Sequence, residues 1–221
     1  MSQYLRIFTG ISIFYLILLI TKQEDLAWYF KPLLIPFLIL EVFKYNHFKT
    51  KNLLISALTF SWIGDLILMF THKHELFFIL GLASFLIAHI IFTILFIKQN
   101  QTKPNSNLFW VGFIFITIYL LVILNLLFPS LGGLKIPVTM YAITISIMLL
   151  MAIKGYFNWA EPNNLTILLG ALFFVSSDSI LAINKFHWEI AKSGFFIMIT
   201  YIIAQFLITK GILGLNKKTD N

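Results

Sequence analysis

Eight apolar runs, each close in length to a bilayer-crossing helix, are separated only by short polar breaks, and this leaves the chain few folds to choose from. A span needs about 20 mostly apolar residues, with about 17 as the lower end. The runs fall at roughly 4–21, 30–44, 52–70, 76–97, 108–127, 134–153, 165–183 and 190–210. In water such a chain would expose far more apolar surface than it buries. Lipid removes that cost and requires each span to satisfy its own backbone as helix. Only 11% of the residues are Asp, Glu, Lys or Arg, against about 25% in soluble domains. The sequence therefore predicts an all-α, polytopic integral membrane protein: a bundle of about eight transmembrane helices, with residues 1–221 forming a single transmembrane domain.

The first run ends in Thr21-Lys22-Gln23, not in small residues suited to cleavage, and so reads as a span. The second is the shortest and opens with Lys31-Pro32, proline being favoured in a helix's first turn. The breaks carry loop chemistry, as in 100–107 with Pro104, 129–133 and Glu161-Pro162-Asn163-Asn164. The tail 216–221 is polar and expected to fray. With the N-terminus inside, ten of the 16 Lys and Arg residues fall on the inner side, Lys103 and Lys218 among them. That bias predicts both termini in the cytoplasm, and the expected location is a bacterial inner membrane.

The halves 1–105 and 106–215 look alike. One carries Phe60-Ser61-Trp62-Ile63-Gly64-Asp65, the other Phe173-Phe174-Val175-Ser176-Ser177-Asp178. Each stretch is followed by a short polar loop and a long apolar span. Lys31 opens the second span and Lys135 the sixth. A duplication would make a parallel four-plus-four repeat about an axis along the membrane normal. Apolar helices also resemble one another by composition alone, and both explanations stand.

The net charge of +7 comes from basic residues scattered between the apolar runs, with no basic stripe or aromatic motif for nucleic acid. It reads as topogenic charge in contact with membrane lipids. The chain has no cysteine, which excludes disulfides, thiolate metal sites and cysteine nucleophiles. No Gly-x-Ser-x-Gly, Ser-x-x-Lys, His-Glu-x-x-His or phosphate-cradling glycine loop is present. His72-x-His74 lacks a third ligand in the sequence, so no metal site is expected.

Of the nine carboxylates, only Asp65 and Asp178 sit well inside spans. Glu41 lies near an inner span end beside Lys44, where it is expected to reach the interface. A carboxylate at a helix centre costs on the order of 3 kcal/mol on insertion scales. Both aspartates stand five residues before the outer ends of their runs, about 8 Å below the interface from the helical rise. Equal depth makes a facing pair the functional expectation: a coupled carboxyl pair in a polar pocket. The competing explanation is that each carboxyl bonds a neighbouring helix and locks the fold.

Supporting candidates lie on the same helices or near them. Ser61 is one turn before Asp65. Ser177 flanks Asp178, and Asn184 follows at the helix end. Tyr141 lies in the sixth span, and Tyr201 and Gln205 share a face of the eighth. His89 and Gln205 fall about 10 Å deeper than the aspartates, so direct contact with them is not expected. Lys31 and Lys135 enter the membrane from the aspartates' side, where a lysine serves as a point charge for a lipid phosphate or simply snorkels.

An ordered set of stretches resembles the YhhN family of lysoplasmalogenases. These are Lys31-Pro32-Leu33-Leu34-Ile35-Pro36, Gly64-Asp65-x-x-Leu68, Gly81 through His89, Gly170 through Phe174, Ser177-Asp178-x-x-Leu181-Ala182-x-Asn184 and Tyr201-x-x-x-Gln205. Phe92 stands where the family commonly has a tyrosine. The resemblance implies an eight-helix bundle with no cofactor and the two motif aspartates as the catalytic pair. It implies hydrolysis of the vinyl-ether bond of a lysophospholipid substrate, to a fatty aldehyde and a glycerophospho-alcohol.

That chemistry fits the residues. Protonation of the vinyl β-carbon gives an oxocarbenium ion, water adds, and the hemiacetal collapses. The reaction needs a general acid, a nearby negative charge and water, as glycoside hydrolysis does. The sequence leaves three readings open. One is this enzyme; another is a hydrolase for a different head group or bond. The last is a non-enzymatic lysophospholipid transporter or scramblase with an intramembrane Asp pair.

Overall fold

The computed structural model describes residues 2–102 and 107–217. Lys103 and Pro104 in the long break, and Lys218 with the end of the tail, lie outside the described residues. Among the described residues the ordered elements are all helical. They are α1 (Gln3–Ile20), α2 (Glu24–Phe30), α3 (Leu34–Lys44), α4 (Lys51–Leu68), α5 (Glu75–Ile97), α6 (Phe109–Leu127), α7 (Lys135–Asn158), α8 (Asn163–Phe186) and α9 (Ser193–Leu215). Among the described residues eight segments are long and apolar enough to cross a membrane, as the sequence predicts. The protein is an all-α, multi-pass membrane protein.

The second span differs from its sequence reading. It runs from Glu24 to Lys44 as α2, a 3₁₀ turn at Lys31–Leu33, and α3. The helix starts early because Glu24 and Asp25 occupy its first turn, where carboxylates favour the helix dipole. Lys31 therefore lies at a break inside the span, not at its entrance. Other helices outrun their apolar cores as well. Helix α7 continues to Asn158 and α8 through Asn184 and Lys185 to Phe186, because hydropathy stops at the first polar residue while backbone hydrogen bonding does not.

The chain divides into two compact units, Met1–Leu95 and Phe96–Asn221. In the first, α3 packs against both α1 and α4. Helices α4 and α5 approach closely through glycine: a Cβ at Gly64 would stand 2.7 Å from Phe85 ring carbons, and one at Gly81 2.5 Å from a Leu68 methyl. Ser84 Oγ donates across the same contact to the Phe60 carbonyl at 2.6 Å. Glu41, expected at the interface, is instead buried and accepts a hydrogen bond from Ser2 Oγ. Lys51 Nζ donates to the Phe43 and Tyr45 carbonyls at 2.9 and 2.7 Å, capping the end of α3. His74 Nδ1 accepts from the Leu76 N–H at 3.0 Å, so one half of the His72-x-His74 pair serves the start of α5.

In the second unit α7 packs on α6 and α8, and α8 packs along α9. Small residues set that last spacing, as is common where helices associate in lipid. A Cβ at Gly170 would lie 2.9 Å from the Ile208 backbone nitrogen, and one at Gly211 2.5 Å from an Ile167 side-chain carbon. Gly170→Val should push α8 and α9 apart and destabilise the protein by about 1–3 kcal/mol, lowering its unfolding temperature in detergent. Gly10→Val, with nothing within 4 Å of its new Cβ, should leave that temperature unchanged.

Candidate active site

Among the described residues each unit holds one aspartate well inside a span, and each has a partner from another segment: an ion pair for Asp65 and a hydrogen bond for Asp178. In the first unit the decisive feature is the break in the second span. Pro36 has no N–H, so the Pro32 carbonyl, four residues earlier, lacks its helical donor. Trp62 of α4 supplies one: its indole N–H donates to Pro32 O at 2.8 Å. One turn further along the same face of α4 lies Asp65, and Lys31 Nζ reaches its Oδ1 at 3.8 Å. The side chains of this ion pair are 18% and 5% exposed for Lys31 and Asp65. Ser61, on the same face, is fully buried with no hydrogen-bond partner for its hydroxyl. Tyr15 of α1, also buried, lies within electrostatic reach of Asp65.

The sequence puts Lys31 at the entrance of its span, for a lipid phosphate or for snorkelling; the structure puts it inside the span, at the span's own discontinuity, paired with a carboxylate. The reason is local: Lys31 opens the 3₁₀ turn that interrupts the span, with Pro32 inside that turn and Pro36 in the first turn of α3.

In the second unit Tyr141 of α7 donates from Oη to Asp178 Oδ2 at 2.5 Å. Tyr119 of α6 and Ser179 of α8 share a hydrogen bond of 2.7 Å. Ser179 Oγ also lies 2.6 Å from the Val175 carbonyl. A serine hydroxyl has one proton. The carbonyl can only accept it, so the Tyr119 hydroxyl is the donor to Ser179. Tyr119 and Tyr201 lie within electrostatic reach of Tyr141, and Tyr119 also of Asp178. Tyr201 is buried with its ring edge-on to Phe174 at 5.6 Å.

The remaining expected residues have structural placements. Ser177 Oγ donates to the Ile197 carbonyl at 3.0 Å and ties α8 to α9. Asn184 Oδ1 accepts from the Ile190 N–H at 2.9 Å and organises the turn after α8. Lys135 is exposed, with its ammonium 5.7 Å from the centre of the Phe128 ring. His89 and Phe92 are fully buried in α5. Gln205 is fully buried in α9, neither end of its amide hydrogen-bonded. The aspartates are also not equivalent along their helices. Asp65 lies in the last turn of α4, whereas Asp178 lies about two turns before the end of α8.

Tyr119 is the residue that sequence reading missed. Its span is otherwise the least buried in the protein, and a single tyrosine there reads as an interfacial anchor.

The pattern of the YhhN family matches residues 26–212, a stretch that includes both aspartates and their donors. The chain belongs to the YhhN family. It is 30% identical over 164 residues to human lysoplasmalogenase TMEM86A, covering 69% of this chain. The chain matches about 61% of the length of that relative. No solved structure matches it. Within this family member, the bent second span and the Trp62–Pro32 bond form one local unit with the ion pair.

Two outcomes follow for the first unit. Trp62→Phe leaves the Pro32 carbonyl without its donor and should cost about 1–3 kcal/mol, read as a lower unfolding temperature in detergent. Lys31→Met should destabilise more alone than in an Asp65→Asn background. A double-mutant cycle should give a coupling of about 1 kcal/mol, and additive effects would mean the pair does not interact.

Proposed function

We propose that this protein hydrolyses the vinyl-ether bond of lysoplasmalogens, releasing a fatty aldehyde and a glycerophospho-alcohol. The observation that carries the reading is that two intramembrane carboxyls, one in an ion pair and one hydrogen-bonded to a phenol, occur in a chain of the YhhN family. Similarity to a human lysoplasmalogenase supports the choice of substrate.

The reaction requires a proton on the β-carbon of the vinyl ether and a negative charge against the resulting oxocarbenium ion. In our reading the surroundings of each aspartate within its own unit suit one role: Asp65, paired with the Lys31 ammonium, suits the anionic group that steadies the cation and orients water. Asp178, bonded by the neutral Tyr141 phenol, delivers the proton. Water attacks the oxocarbenium carbon, and the hemiacetal collapses by breaking its bond to the glycerol oxygen, which leaves with a proton. Nothing in this sequence of steps calls for a side-chain nucleophile or a cofactor. We also place both termini on the cytoplasmic side of the membrane, following the lysine and arginine distribution along the chain.

Purified protein in detergent, where no compartment exists, should release aldehyde from a lysoplasmalogen. In deuterated, ¹⁸O-enriched water the aldehyde should carry one deuterium beside its carbonyl, and the glycerophospho-alcohol should carry no ¹⁸O. Tyr141→Phe should lower the rate by about 10²-fold, the lower range for a group serving acid catalysis. No aldehyde from folded protein, together with lysophospholipid movement across vesicles, would replace the enzyme reading with a transporter. Label in the alcohol would mean that the other ether bond is the one cleaved.

A further inference from the structure

The second unit has a groove of about 390 Å³ on the side of α6, α7 and α8, within the range of about 300–1,000 Å³ typical of ligand pockets. Its walls are Phe115 of α6, Leu149 of α7 and Leu172 and Val175 of α8, and Tyr119 and Ser179 lie at one end. Phe115 and Leu172 are exposed on the outer face of their spans, 74% and 42% respectively. At this depth the surrounding solvent is hydrocarbon, so the groove is open to the bilayer interior.

What separates this depression from ordinary lipid-facing surface is its polar end. Tyr119 spends its proton on Ser179, and Ser179 spends its own on the Val175 carbonyl. Ser176, also lining the groove, donates to the Leu172 carbonyl at 2.9 Å. The hydroxyls of the groove are thus turned inward as donors, and Tyr119 Oη offers only lone pairs to an incoming molecule. The matching ligand has a flexible apolar chain followed by a hydroxyl donor. The polar end also adjoins the carboxyl site: Ser179 follows Asp178 in the helix, and Tyr119 lies within electrostatic reach of Asp178.

We infer that this groove binds the hydrocarbon chain of a single-chain lipid, with Tyr119 accepting a hydrogen bond from the lipid's free glycerol hydroxyl. The inference deepens the reading above by naming a chain-binding subsite and a residue that selects lipids lacking a second acyl chain. A lipid acylated at that hydroxyl brings no donor and would leave the Tyr119 oxygen facing an ester. Tyr119 is a specificity residue in this account, and it takes no part in proton transfer to the vinyl carbon.

The test uses the full-length protein in nanodiscs and a non-cleavable alkyl-ether lysophospholipid carrying a diazirine at its chain end. Photolabelling followed by peptide mapping should mark α6 and α8 around Phe115 and Leu172. Leu172→Trp fills an exposed wall without entering the core and should cut that labelling roughly tenfold, taking a single blocked anchor as about 1.4 kcal/mol. Leu121→Trp, on an exposed part of α6 outside the groove, should leave it unchanged. Tyr119→Phe should erase a preference, roughly fivefold to tenfold for one hydrogen bond, for the free hydroxyl over its O-methyl analogue. Labelling spread evenly over the lipid-facing helices, or insensitive to Leu172→Trp, overturns the groove even if the wild type cleaves vinyl ethers normally. Groove labelling in a protein that releases no aldehyde would leave the subsite standing and remove the hydrolase reading instead. Equal labelling by a two-chain probe would overturn the selection by Tyr119.

Discussion

A carboxyl group in hydrocarbon must be held by a donor, and in this protein that requirement shapes the helices around it. Placing Asp65 inside α4 costs free energy that an apolar neighbour cannot return. The compensation comes from a span that is deliberately irregular. Pro32 and Pro36 break the second span, the break presents Lys31 to Asp65, and the carbonyl freed by Pro36 is recovered by Trp62 one turn away. Non-helical backbone at membrane depth is tolerated only where protein groups satisfy it. Here the same face of α4 satisfies both the backbone and the cation. The close glycine contact between α4 and α5, next to Asp65 in sequence, holds that face in place.

The second unit meets the same requirement by different means. Asp178 is bonded by the Tyr141 phenol, with Tyr119 within electrostatic reach. An ammonium and a phenol are not interchangeable partners. One brings a full charge, the other a single neutral donor. If the halves arose by duplication, their aspartates have since acquired unlike surroundings, and this difference lets one serve as anion and the other as acid in the proposed reaction. Two carboxyls in unlike environments are the usual basis for dividing acid and electrostatic roles.

The helical spans were legible because hydrophobic length alone constrains a chain in lipid. The span boundaries were less so. Glu24 and Asp25 read as loop residues in the sequence, although a helix N-terminus is where such residues belong, and the span in fact begins with them. The earlier start puts Lys31 inside the span, beside Asp65. Lys135 has a similar sequence setting, yet it lies exposed over Phe128, because whether a lysine faces a carboxylate depends on tertiary packing that periodicity does not encode. Asp65, Asp178 and Tyr141 were legible as costly groups in apolar runs. Tyr119 was not, since its meaning comes from a hydrogen bond to Ser179, 60 residues away in the chain. Ser177 and Asn184 stand near Asp178 in sequence, but their hydrogen bonds go to the Ile197 carbonyl and the Ile190 N–H.

The central claim is that the intramembrane carboxyls do chemistry and are not merely locks between helices. The most direct measurement is the rate of vinyl-ether cleavage by purified Asp65→Asn and Asp178→Asn proteins whose elution and unfolding profiles match the wild type. The account predicts that each folded variant loses at least about 10²-fold in rate, as expected for removing a group that acts in the transition state. Undiminished cleavage by either folded variant would contradict it and return that aspartate to a purely structural role.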